Sequence, residues 1–260
     1  MPLVYRETVP VQEPFGTVLC LHGYPESSYM WRHLLEAVAD AGWQAVAPDL
    51  PGYGDSPYGG SGTWQAHVDA VDAFHREQEL GHVVLVVHDW GGLIGLRWAC
   101  EHPEAVRALV ISDTGFFPDG KWHGMAQALR TPGQGEQLVD GLDRDGFAGM
   151  LRTVSPNLDD RSIDEYFKAY ASEEARRGQL ELYRSGEFSE LARYDLSQLA
   201  VPSLLLWGED DPFAPVAGAH RFARELPDAE LHVVPGTGHF VYDDEPGACS
   251  EAVVAFLERV

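Results

Sequence analysis

The run Val83–Gly92, VVLVVHDWGG, sets one carboxylate, Asp89, between a fully apolar, β-branched stretch and a pair of glycines. Such a run reads as a buried strand entering a tight turn, with Asp89 at its tip. A carboxylate is ionised at neutral pH and needs no base before it attacks, which suits displacement at a saturated carbon and formation of an alkyl ester. The plainer role for such a residue is a solvated turn position or a helix N-cap. Far along the chain, His239 stands in the glycine-rich GTGHF that follows the last apolar run. An imidazole with a pKa near ~6.5 is suited to taking a proton from water.

The elements around these residues alternate in type. Thr17–Leu21, Gln44–Ala47, Val83–Val87 and Ala108–Ser112 read as strands, and Tyr29–Ala41, Thr63–Leu80 and Gly91–Glu101 as helices between them. The same alternation resumes with Ser203–Trp207, Val216–Leu226, Glu230–Val234 and Pro246–Val260. Strands separated by helices call for a mostly parallel sheet with helices on both faces. Between Thr114 and Tyr194 the pattern breaks. Phe116–Trp122 and the Pro- and Gly-rich Thr131–Gly135 look like loop, while Phe147–Val154, Ser162–Tyr170 and Glu173–Tyr183 have helical spacing. This stretch reads as a helical insertion between strands.

Bulk properties exclude several classes. A formal net charge of −23 over 260 residues argues against nucleic acid or an anionic membrane surface as a partner, since both need basic patches. No apolar run approaches a membrane span, and Met1–Pro10 lacks the features of a secretory leader. Cys20, Cys100 and Cys249 are far apart and odd in number, and two of them lie in apolar patterns. Reduced cysteines and a cytoplasmic location are therefore expected. No CxxC or HExxH spacing occurs, so neither a metal nor another cofactor is expected.

Five motifs occur together in order: HGYPESSYMWR (His22–Arg32), DLPGYGDSP (Asp49–Pro57), VVHDWGG (Val86–Gly92), WGEDDPF (Trp207–Phe213) and GTGHF (Gly236–Phe240). Together they resemble the epoxide hydrolase and haloalkane dehalogenase branch of the α/β-hydrolase fold. The resemblance implies a core of residues 1–114 and 195–260 with a helical cap, 115–194, inserted between strands and shorter than is usual for the family. It makes Asp89 the nucleophile on the turn called the nucleophile elbow, and His239 the base that activates water against the Asp89 ester. Asp211 matches the usual position of the acid that orients the histidine, Asp113 matches an alternative used by some dehalogenases, and Asp210 is one residue away. Backbone N–H groups of Tyr24 and Trp90 would form the oxyanion hole, with a cis peptide before Pro25 fitting the sharp loop. His88 is expected to serve structurally beneath the site.

The leaving group stays open between two chemistries. Epoxide opening needs an acid for the departing alkoxide, which enzymes of that class supply from cap tyrosines. Tyr183 in LELYRS matches one of them, and Tyr166 and Tyr170 are candidates for the other, since Trp122 and His123 stand where a tyrosine is expected. Halide expulsion needs N–H donors around the anion. Trp90 fits the first donor, and Trp122 is a candidate for the second because Met150 occupies the cap position where a tryptophan is usual. A carboxylate substrate lacks its clamp, because Trp90 and Leu93 stand where haloacetate enzymes carry arginines. The preferred expectation is an epoxide hydrolase acting with water on a small apolar substrate, as monomer or homodimer. The alternatives are a haloalkane dehalogenase, an esterase-like hydrolase and a binding protein without turnover.

Overall fold

The computed structural model describes residues 2–260. Four strands, β2 (Thr17–Leu21), β4 (Val83–His88), β5 (Val106–Ser112) and β6 (Ser203–Gly208), are buried at nearly every position. Burial of successive residues, which point to opposite faces, means that both faces of the sheet are covered. With β1 (Tyr5–Thr8), β3 (Gln44–Pro48) and β7 (Ala229–Val234) they form a seven-stranded sheet in the order β1-β3-β2-β4-β5-β6-β7. All neighbouring pairs are parallel except β1 with β3. This is the α/β-hydrolase architecture expected from the sequence.

The short edge strand β1 was not anticipated. Its four residues carry no apolar run and are held by pairing with Gln44–Pro48 rather than by their own propensity. The first helix also starts later than its periodicity suggests: Ser28–Trp31 forms a 3₁₀ turn capped by Ser27, and α1 proper spans Arg32–Asp40. Helices α2 (Trp64–Glu77) and α3 (Trp90–Glu101) pack together, as do α1 and the C-terminal helix Pro246–Leu257.

Between β5 and β6 the chain forms five helices and no strand: α4 (Gly124–Arg130), α5 (Gln134–Gly141), α6 (Arg144–Arg152), α7 (Asp160–Phe167) and α8 (Glu173–Ser185). Their starts are fixed by side chains that accept orphan backbone N–H groups: His123 for α4, Asp143 for α6, Asp159 for α7 and Ser172 for α8. Helices α4 and α5 lie on either side of the Pro- and Gly-rich stretch, in residues to which the sequence assigns no element. The Thr131–Gly135 segment is the junction between them, where Gly133 takes a positive φ and the Glu136 carboxylate accepts from its N–H.

The insertion is fastened to the core beside the loop that carries His239. The short helix α9 here spans Ala217–Glu225, and the one-turn helix α10 spans Val241–Asp244, immediately after His239. Asp243 accepts from Arg32 at 2.8 Å and from the Tyr166 hydroxyl at 2.6 Å. Asp244 accepts from the Ser155 hydroxyl and, at 3.2 Å, from the backbone N–H of Gly238.

The turn between β4 and α3 depends on close packing. A Cβ on Gly91 would collide with the backbone carbonyl oxygens of Leu21 and His22, at the end of the neighbouring strand β2. Backbone cannot give way as a flexible side chain does. Gly91→Ala is expected to lower the stability by about 1–3 kcal/mol, the usual range for overpacking, read as a lower urea midpoint with an unchanged m-value.

Candidate active site

The parallel strands deliver the site residues to one edge. Asp89 follows β4, Asp113 follows β5, and Asp211 lies just beyond β6, so all three acids emerge at the carboxyl ends of adjacent strands. Asp89 takes φ 47° and ψ −123°, a conformation that projects its side chain out of the turn before α3 begins. Gly23 is what allows this, since a Cβ there would overlap the Asp89 side chain. The Tyr24–Pro25 peptide is cis, and the Tyr24 N–H donates to Asp89 Oδ1 at 2.7 Å. Among the described hydrogen bonds this is the only one to Asp89 from the expected oxyanion pair; the Trp90 N–H makes none to the carboxylate.

His239 stands between two acids. Its Nδ1 is 2.7 Å from Asp211 Oδ2, and its Nε2 is 3.5 Å from Asp89 Oδ2. Asp211 is in turn fixed by the N–H groups of Phe213 and Ala214, which donate to Oδ1 at 2.7 and 3.0 Å. The loop approaches β6 so closely that a Cβ on Gly208 would run into the carbonyl of Gly238. Of the acids left open by the sequence, Asp211 is the one bonded to His239. Asp113 accepts instead from the Gly208 N–H at 2.9 Å, and the Asp210 N–H donates to Thr237 at 2.9 Å.

The charges sort themselves accordingly. Desolvation would raise the Asp89 carboxyl, but the hydrogen bond and charge of His239 hold it below the usual range. Desolvation also opposes Asp211, yet His239 and the two backbone donors bring it to about 2. His239 is disfavoured as a cation by burial, and the Asp211 and Asp89 carboxylates outweigh this and push its pKa well above the ordinary value. The two carboxylates therefore favour the imidazolium form of His239.

Beneath it lies a group of buried side chains. The His88 ring packs 4.9 Å from that of His239, and burial lowers its pKa to about 3. Its nitrogens face Glu26 at 3.5 Å and Asp113 at 3.9 Å, and burial raises both of those carboxyls well above their usual range. Burial thus favours the neutral form of all three groups. Glu26 is part of the HGYPESS loop but carries no spacing that singles it out, and only the fold brings it to His88.

Above Asp89 the walls are aromatic. Tyr183 is 2 % exposed, lies 5.1 Å from the Tyr24 ring and 5.2 Å from the Trp90 ring, and lines the cavity with Asp89. Burial and the nearby Asp89 charge raise its pKa well above the ordinary phenol, while the Trp90 indole works the other way. Arg130 steadies the end of α8 by donating to the carbonyls of Tyr183 and Gly186. Trp122 stacks on Trp90 at 5.4 Å with an interplanar angle of 23°, and its buried indole N–H has no partner among the described residues. His123 and Met150 also line the cavity.

The remaining two tyrosines sit elsewhere. Tyr166 is spent on Asp243 and lines neither cavity that reaches Asp89. Tyr170 shares a hydrogen bond with the Tyr24 hydroxyl at 2.6 Å, one layer behind the wall. Phe213 went unremarked in the sequence although it belongs to WGEDDPF. It packs 4.8 Å from His123 and 5.2 Å from His239, at the centre of the site. Among the described residues no group of three or more His, Cys, Asp or Glu side chains is arranged to hold a metal ion, and no helix is long and apolar enough to cross a membrane.

Comparison with known proteins agrees with this architecture. Residues 16–246 match the model of the alpha/beta hydrolase fold family. A haloalkane dehalogenase from Mesorhizobium japonicum is 30% identical, with 94% of this chain and 85% of the relative aligned. The crystal structure of the haloalkane dehalogenase DbeA from Bradyrhizobium elkani superposes with a TM-score of 0.82 at 27% identity, covering 98% of this chain and 93% of that one. An epoxide hydrolase from Vigna radiata, 23% identical, shares the fold with a TM-score of 0.82 over 98% of this chain and 94% of its own.

Two measurements test the electrostatics. In Asp89→Asn the carboxylate facing Nε2 is gone, so the His239 imidazole is expected to titrate at lower pH than in the wild type when followed by ¹H–¹⁵N NMR. An unchanged midpoint would mean that the ring does not sense Asp89. Asp211→Asn removes the carboxylate charge at Nδ1 and, with backbone N–H groups claiming the amide oxygen, turns an NH2 toward the ring; it is expected to lower turnover on the order of 10³–10⁴-fold, whereas Asp113→Asn should cost less than about tenfold.

Proposed function

From the premise that this chain belongs to the α/β-hydrolase fold family, we propose that it opens epoxides to vicinal diols through an alkyl ester on Asp89, with residues 115–194 acting as the cap over the site. The observation that carries this reading is the Tyr183 hydroxyl group's residue, buried in the cavity wall beside Asp89 and Trp90. Epoxide opening needs a neutral acid above the nucleophile, and a phenol held protonated by burial is one.

In the first step Asp89 Oδ2 attacks a ring carbon, the C–O bond of the oxirane breaks, and the departing oxygen takes the Tyr183 proton. Oδ1, held by the Tyr24 N–H at 2.7 Å, becomes the ester carbonyl oxygen. The carboxylate charge is thereby consumed. That charge both raises the His239 pKa and opposes ionisation of Tyr183. Its loss therefore eases the phenol's proton transfer and lets the imidazolium return a proton to the tyrosinate. His239, now neutral, takes a proton from water as the water oxygen attacks Cγ of Asp89. The Tyr24 N–H stabilises the oxyanion at Oδ1; collapse breaks the ester C–O bond, the departing alkoxide takes the proton of the newly added hydroxyl, and the diol leaves with the Asp89 carboxylate restored.

A second reading, haloalkane hydrolysis, is favoured by one specific feature. The stacked Trp90 and Trp122 indoles, one with an unpartnered N–H, line a cleft that reaches Asp89. Expulsion of halide needs N–H donors and no proton, so it would not depend on Tyr183.

The two readings separate cleanly by experiment. His239→Phe, incubated with terminal epoxides and bromoalkanes, is expected to accumulate an ester whose intact mass reports the substrate class, and Asp89→Asn should show none. Tyr183→Phe is expected to slow epoxide opening by about 10²–10⁴-fold, the usual contribution of a positioned acid. Retention of bromide release in that variant, with loss of it in Trp122→Phe, would favour the dehalogenase instead.

A further inference from the structure

Asp89 stands where two cavities meet. One, a narrow space of about 30 Å³, lies between α6 and the His239 loop, with Met125, Met150, Leu151 and Val154 in its wall. The other, of about 260 Å³, opens under the start of the insertion, with Trp90, Phe117, Trp122 and Phe188 in its wall. Asp89, His123, Tyr183, Phe213 and His239 belong to both. The nucleophile, the base and the phenol therefore lie at a junction and not at the end of a blind pocket. The two arms also differ in kind. The larger is built of rigid rings, with Trp122 packed against Trp90 at 5.4 Å and against Phe188 at 4.4 Å. The smaller adds Met125, Met150, Leu151 and Val154, beside Tyr24, Pro25 and Phe240, to the shared residues, and its thioether side chains adapt to narrow groups.

Resting on the epoxide-opening reading above, we infer that the preferred substrate is a 1,2-disubstituted epoxide, with an aromatic group on one ring carbon and a short alkyl group on the other. The aromatic group occupies the ring-walled arm, and the alkyl group enters the arm lined by Met150 and Leu151. An epoxide with one substituent fills one arm and leaves the apolar walls of the other in water. Each methylene placed against such walls is worth about fourfold in binding, the factor equivalent to its transfer out of water. Both ring carbons then lie near the junction, so attack by Asp89 does not require either arm to be emptied.

The test compares three probes on the wild type: styrene oxide, with an aryl group alone; trans-1-phenylpropylene oxide, with aryl and methyl; and trans-2,3-epoxybutane, with two methyls. The expected order of kcat/KM places the aryl–methyl epoxide first, at least about fourfold above styrene oxide. Met150→Trp, which fills the smaller arm, is expected to reverse that order. Equal or faster opening of styrene oxide by the wild type overturns the inference, whatever the fate of the variant. The underlying reading is judged separately, by ester formation in His239→Phe with each probe. No ester from any of the three would remove the epoxide chemistry itself. Ester from styrene oxide with none from the disubstituted pair would leave the chemistry standing and discard the two-armed substrate.

Discussion

Everything at this site depends on holding one carboxylate at a sharp bend where backbone conformation and close packing allow no other arrangement. Asp89 takes a positive φ between a strand and a helix, with Gly23 and Gly91 leaving room on two sides. Neither glycine lines a cavity that reaches Asp89. Both are required because a Cβ at either would meet the Asp89 side chain or the backbone of the neighbouring strand. The Tyr24 N–H then fixes one oxygen and leaves the other directed toward His239. A few degrees of freedom at the bend would separate these partners.

The same carboxylate organises the electrostatics. With Asp211 it supports the imidazolium form of His239, and with burial it opposes ionisation of Tyr183. In the proposed cycle, esterification cancels the Asp89 share of both effects once per turnover. Burial favours the neutral forms of His88, Glu26 and Asp113 below these residues, which limits competing charge there. A charged floor would blunt the response of His239 to the state of Asp89.

Much of this was legible in the residues. The apolar run before Asp89, the glycines after it and the separate GTGHF and WGEDD segments point to the strand ends where the structure has them. The preference for Asp211 over Asp113 rests in the sequence on motif position alone, since both follow strands at one edge, and it is Asp211 that the structure bonds to Nδ1. Helices α4 and α5 were hidden by the Pro and Gly between them, which mark a junction and not an absence of structure. Strand β1 had no apolar signal because it is made by its partner. Tyr166 and Tyr170 share a helical face with suitable spacing, yet Asp243 and Tyr24 claim their hydroxyls. Long-range partners of that kind have no trace in local sequence.

The two aspartates of α10 carry a consequence for how such a chain can change over generations. Asp243 and Asp244 directly follow the loop of His239 and hold Tyr166 and Ser155 of the insertion. Drift in or just after α6, or in α7, that reshapes the pocket also pulls on the segment that places His239. Variation in what the protein accepts is then not free of variation in how fast it turns over. Lineages would explore new substrates most readily through the segments around Trp122 and Phe188, which wall the larger arm.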